Sequence, residues 1–210
     1  MARSQAKIPT ALVVAAAVWL TIIVGAMLWI ASYSNSPGPS RSAFAHWPAE
    51  SRIPFDGSRP NLIMFAHPRC PCTRASLGEL ELLMARSQGL LTAHVLFIRP
   101  AGLTEDWVKT DLWRKAAAIP GVTVHCDSGG VEAYRFQAET SGYTVLYDRT
   151  GRLIFQGGIT LARGHSGDNT GRTAIGSLLH NQAIRQNQTP IFGCSLFDRE
   201  TQIANRVCKK

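Results

Sequence analysis

Asn61-Leu62-Ile63-Met64-Phe65-Ala66-His67-Pro68-Arg69-Cys70-Pro71-Cys72-Thr73 starts as an apolar run and ends where helix-forming sequence takes over. The first six residues read as a buried strand, and the helix is predicted from Thr73 to Gln88, with Leu77, Leu80, Leu83 and Met84 on one face. Two thiols one residue apart thus stand where a strand feeds a helix. A helix N-terminus carries partial positive charge and unpaired N–H groups, which favour a thiolate. The thiolate is the attacking species in disulfide exchange. Zinc would need four ligands, usually in two separated pairs, and no second close Cys pair exists. Two merely structural cysteines are the remaining reading.

Outward from this segment the pattern alternates. His94–Ile98 is predicted as a strand stopped by Pro100. Thr104 is a candidate N-cap, with Glu105 and Asp106 in the first turn, for a helix to about Ile119. Val122–Cys126 reads as a strand and Val131–Thr140 as a helix. Tyr143–Tyr147 and Arg152–Phe155 read as strands about the turn Asp148-Arg149-Thr150-Gly151, and Arg172–Gln186 as a last helix. The order β-α-β-α-β-α-β-β-α implies an α/β sandwich: a central mixed sheet, parallel except for the late hairpin, with helices on both faces.

Thiols after the first strand, in this element order, resemble the thioredoxin superfamily over about Asn61–Gln186. The segment Tyr143-Thr144-Val145-Leu146-Tyr147-Asp148-Arg149-Thr150-Gly151-Arg152-Leu153-Ile154-Phe155 is similar to the strand–turn–strand of one branch. That branch holds the membrane-tethered thiol-disulfide oxidoreductases (TlpA/ResA-like) and the peroxiredoxins. The Cys-Pro-Cys version, with the later Gly164-His165-Ser166-Gly167-Asp168-Asn169 loop, also resembles sequences labelled RedB. The resemblance implies a thioredoxin-like fold and thiol-disulfide exchange with protein thiols or a small thiol or disulfide. Two departures stand out. The family motif has two residues between its cysteines, and here there is only Pro71. Gly142 stands where the family carries a cis-proline that helps receive a substrate peptide.

The candidate catalytic residues are Cys70, Cys72, His67 and Arg69. Cys70 is the expected attacker and Cys72 the resolving thiol, although these two roles could be exchanged. In a second scheme a distant cysteine resolves. A ring closed over one residue strains a disulfide, and strained disulfides are the more oxidising ones. His67 could stabilise a thiolate or carry protons, and Arg69 would lower a neighbouring thiol's pKa; alternatively His67 simply fills the turn. Cys126, Cys194 and His165 are possible resolving or site-lining residues. Cys126 ends a strand at a sheet edge where sites gather, or is a small buried hydrophobe. Cys194 either reaches the site or pairs with Cys208 as a structural bond. The glycine-rich run 157–171 allows close backbone approach; it lacks a phosphate-loop ending, and Asn169 or Thr170 could cap the last helix.

Two other functions fit the same residues. A copper-binding or metal-delivery protein would use soft thiolates, with Cys70, Cys72 and His165 as ligands. A thiol peroxidase would need an Arg near one low-pKa Cys, for which Arg69 or Arg163 could serve. Apart from the copper alternative, no cofactor or metal is expected.

Ala11–Ala31 is an uncharged run of 21 residues, about 30 Å as a helix and enough to cross a bilayer. Arg3 and Lys7 precede it, so the N-terminus is expected inside and the rest outside the cytoplasm. A cleaved signal peptide would have a shorter apolar region. The expected organisation is a cytoplasmic N-terminus (1–10), a single-pass transmembrane anchor (11–32) and a linker (33–60), whose later part, around Trp47 and Phe55, could pack on the domain. A thioredoxin-like domain (61–188) and a tail (189–210) follow. The formal charge is +8, and without Arg3 and Lys7 it is +6. These charges are scattered without aromatic interleaving, so no nucleic-acid partner is expected. All five cysteines follow the apolar run, which puts them on the periplasmic, oxidising side of an inner membrane.

Overall fold

The computed structural model describes residues 9–197, which form two units divided at Ser36 and Pro37. The first carries α1 (Thr10–Asn35), 26 residues with no buried side chain and an 18-residue stretch of mean hydropathy 2.6. It is long and apolar enough to cross a membrane. The expected N-terminal charges Arg3 and Lys7, and Cys208 with the end of the tail, lie outside the described residues.

The second unit contains β1 (Asn61–Ala66), α2 (Pro71–Arg86), β2 (Thr92–Arg99), a 3-10 turn (Glu105–Trp107), α3 (Asp111–Ala117) and β3 (Val122–Ser128). These are followed by α4 (Val131–Arg135), β4 (Thr144–Tyr147), β5 (Leu153–Gly157) and α5 (Thr170–Leu179). The sheet order is β3-β2-β1-β4-β5. β1 runs parallel to β2, with Asn61 opposite Thr92, and antiparallel to β4, with Asn61 opposite Tyr147. All six residues of β1 are buried, as a central strand covered on both faces requires. Leu62, Met64 and Ala66 face Leu77, Leu80 and Leu83 of α2, Leu112 of α3 and Ile175 of α5. Ile63 and Phe65 face the other way, toward Ala133 of α4, Phe136, Tyr143 and Tyr147. Each such large side chain contributes roughly 1.5–3 kcal/mol by leaving water.

Three helices differ from the sequence pattern. The single helix read over Thr104–Ile119 is broken after the 3-10 turn. Thr110 is extended and its Oγ1 donates to the Pro68 carbonyl at 3.0 Å, so α3 restarts beyond it. The Thr104 side chain makes no capping bond. α4 stops at Arg135, where Phe136 turns into the core and Gln137 adopts a left-handed φ of 58°. α5 stops at Leu179, closed by Gln182 N–H to the Ser177 carbonyl, with Asn181 left-handed.

The segment read as a linker lies along the domain from Pro37 on. Leu153 N–H binds the Ala45 carbonyl, Trp47 N–H binds the Gly151 carbonyl, and Tyr147 Oη donates to the Phe44 carbonyl. The Trp47 ring packs against Phe55, Phe136 and Tyr147. The tail also folds back. Gln156 bridges Gln188 in parallel, and Thr140 bridges Ser195 antiparallel.

Candidate functional site

Cys70 is the N-cap of α2, with Pro71 and Cys72 in its first turn. Proline suits that position because its missing N–H would be unpaired anyway and its φ is already helical. The turn before it is stitched to the loop ahead of β4. His67 N–H donates to Ser141 Oγ at 2.9 Å, Ser141 Oγ lies 2.8 Å from Thr73 Oγ1, and Thr73 Oγ1 donates to the His67 carbonyl. Gly142, in the position expected to replace a cis-proline, has a φ of 89°, and its N–H binds the Phe65 carbonyl. A Cβ there would lie 2.9 Å from Ser76 Oγ, so glycine alone fits both demands.

The tail brings a third sulfur. Ser141 N–H binds the Cys194 carbonyl at 2.8 Å, and Leu196 N–H binds the Glu139 carbonyl at 2.9 Å. Gly193 passes so close that a Cβ would strike the Ser141 carbonyl. Ile191, Leu196 and Phe197 anchor this strand in the core, and an Arg163 N–H binds the Gly193 carbonyl. Cys194 Sγ thereby sits 2.7 Å from Cys70 Sγ. Cys70 is 1% exposed, Cys72 is also buried, and Cys194 is partly exposed.

This arrangement separates the three thiols electrically. Hydrogen bonding from Cys194 brings Cys70 from the ordinary 9.0 down to about 5; burial opposes this, while the N–H groups of Cys194, Thr73 and Cys72 add to it. Burial, then the Cys70 charge, pushes Cys72 up, with Arg163 opposing. Its hydrogen bond to Cys70, then burial, pushes Cys194 up. At neutral pH the cluster therefore holds one thiolate, on Cys70, and two thiols.

The other candidates fall in different places. Arg69 lies over the Trp107 ring, 4.9 Å from its centroid, and the His67 ring meets Trp107 edge-on. The cation that acts on Cys72 and Cys194 is Arg163 instead. His165 is exposed, with Nδ1 2.9 Å from the Arg163 carbonyl oxygen. Cys126 sits on the outer strand β3 opposite Phe97, and burial raises its pKa. Among the described residues no group of three or more His, Cys, Asp or Glu is arranged to hold a metal ion. The copper set Cys70, Cys72 and His165 is thus not gathered.

Sequence reading did not find the support beneath the glycine-rich run. Glu79 is wholly buried on α2 and accepts from Gly167 N–H at 2.7 Å, from Asn169 Nδ2 at 3.1 Å and from the Arg172 guanidinium. Asn169 caps α5 through Arg172 N–H. The run is thereby held where the Gly164 N–H supports Cys72 and Arg163 reaches the tail. A charged residue on the apolar face of a predicted helix was the available signal for Glu79.

No family model matches the sequence, and no curated protein matches it either. Solved structures do. A hypothetical protein from Sinorhizobium meliloti 1021 superposes with a TM-score of 0.58 at 20% identity, covering 75% of this chain and 96% of that one. An uncharacterized conserved protein from Geobacillus kaustophilus gives 0.56 at 18% identity, covering 79% and 93%. A secreted disulfide oxidoreductase from Mycobacterium tuberculosis gives 0.43 at 16% identity, covering 60% and 84%. With β1 central, α2 following the thiol turn and the antiparallel pair β4–β5 at one edge, the domain has the thioredoxin-like fold.

Proposed function

We propose that the chain is a membrane-anchored thiol-disulfide oxidoreductase whose reactive sulfur is Cys70, working outside the cytoplasm. The observation that carries this reading is a buried cysteine at a helix N-terminus with a second sulfur 2.7 Å away, an arrangement that lowers its pKa. A lowered pKa gives an exchanging cysteine both nucleophilic form and leaving ability. Cys72 and Cys194 flank it, so Cys70 has partner sulfurs within the chain with which to cycle between thiol and disulfide. Substrates are protein thiols or small thiols and disulfides. α1 is long and apolar enough to serve as a single-pass anchor, and Arg3 and Lys7 ahead of it support a topology with the domain on the periplasmic side of an inner membrane.

The test is a redox titration of the full-length protein in detergent. It is equilibrated with graded ratios of reduced and oxidised dithiothreitol, and free thiols are then trapped. A two-electron couple that disappears in Cys70→Ser is expected. Absence of any couple, or its survival in that variant, would refute the assignment.

A further inference from the structure

We propose that Cys194, presented by the tail strand, is the sulfur that meets the substrate: it forms a disulfide with Cys70, and an incoming thiol attacks it there. This rests on the reading of Cys70 as the reactive sulfur and assigns its partner.

Three observations carry it. First, the pairing of the tail with 139–141, the close passage of Gly193 and the apolar anchors Ile191, Leu196 and Phe197 hold Cys194 against Cys70. Cys72, by contrast, must close a ring over one residue, which disulfide geometry resists. Second, Cys70 is closed to solvent while Cys194 is partly open. A sulfur arriving from outside therefore meets Cys194 first. Third, a disulfide is broken fastest when the sulfur of lower pKa leaves; Cys70 caps the N-terminus of α2, where the N–H groups of Cys194, Thr73 and Cys72 favour its thiolate, and Cys194 has no such setting. Access and leaving ability select the same direction of attack. The tail also occupies the Ser141 N–H and the Glu139 carbonyl. A strand-adding peptide thus finds those groups taken, and a small thiol is the class of substrate that suits the site.

The steps balance. A substrate thiolate attacks Cys194 Sγ; the Cys70–Cys194 bond breaks and its electron pair leaves on Cys70 as thiolate. A second substrate thiolate attacks the first substrate sulfur. The substrate disulfide is released, and Cys194 leaves and takes one proton, the other going to solvent. Two electrons have passed from two thiols to the protein pair. A disulfide-bearing oxidant reverses the exchange and restores the bond. Stabilising the reduced form in this way makes the pair an oxidant of thiols.

The experiment mixes oxidised full-length protein with glutathione, quenches in acid and maps the adduct by mass spectrometry. Glutathione on the Cys194 peptide is expected; glutathione on Cys70 or Cys72 would overturn the proposal. Under single-turnover conditions, Cys194→Ser is expected to slow formation of glutathione disulfide at least about tenfold, through loss of a partner held in place. The serine retains a hydroxyl donor beside Cys70, and Cys126→Ser serves as the control expected to keep the wild-type rate. A Cys194→Ser rate within about twofold of wild type would also overturn it. If instead Cys70→Ser keeps the wild-type rate, the Cys70 assignment itself has failed, a distinguishable result.

Discussion

The negative charge on Cys70 is the quantity on which the chemistry turns. Its depression from 9.0 to about 5 means that the reduced protein binds fewer protons at this site than the unfolded chain between those limits. The resulting stabilisation is complete above about pH 9 and is lost as pH falls to about 5. The ultraviolet absorbance of the reduced protein, minus that of Cys70→Ser, is expected to show a thiolate appearing with a midpoint near pH 5. In Cys194→Ala, which removes the principal donor, the midpoint is expected to rise; an unmoved midpoint would show that the helix N-terminus alone sets it. The motif was legible in the sequence because Cys70 and Cys72 are neighbours at a strand-to-helix junction. Cys194 was legible only as one of two alternatives, because its place depends on the pairing of the tail with 139–141, which leaves no local pattern. Arg69, read as the thiol's cation, is engaged by Trp107, an aromatic contact that charge spacing does not reveal.

At the level of elements, α2 and the glycine-rich run are joined through Glu79. Breaking a buried ion pair on one side leaves the other charge unpaired, at a cost of about 3–5 kcal/mol. Glu79→Gln keeps part of the hydrogen bonding to Gly167 N–H, so a loss near the low end, about 3 kcal/mol, is expected in urea denaturation. The same change is expected to loosen Arg163 from the Gly193 carbonyl and raise the Cys70 midpoint. A stability loss with no change at Cys70 would mean that the run does not hold the tail. The strands, and the order in which they alternate with helices, were readable from apolar runs and turn residues. The ends of α3, α4 and α5 were not, because Thr110, Gln137 and Asn181 terminate helices through backbone and tertiary contacts rather than through glycine or proline.

For the whole molecule, the sheet carries a second titrating feature away from the thiols. His94 on β2 and His125 on β3 face each other, with His94 Nδ1 3.0 Å from His125 Nε2. Burial, then the neighbouring His125, lowers His94 from 6.5 to about 4. The folded protein therefore resists a proton that the unfolded chain accepts, and stability falls as pH drops from 6.5 toward 4. Urea midpoints across this range are expected to show an acid-side loss of ~2 kcal/mol that is reduced in His94→Gln. An unchanged acid limb in the variant would assign the loss to other groups. The sheet and its covering helices were legible because β1 is buried on both faces and the late strands form a hairpin. The closure of the molecule was legible only at Trp47 and Phe55, aromatic residues in an otherwise linker-like stretch. The segments 37–60 and 189–197 have the proline, serine and glycine content of free chain, yet they cover the face of the sheet that α4 leaves open.

Peptide mapping of the oxidised full-length protein tests the central claim most directly. A cross-linked peptide joining Cys70 to Cys194 is the expected product. Recovery of Cys70 as a free thiol, with disulfides confined to the other cysteines, would contradict the account.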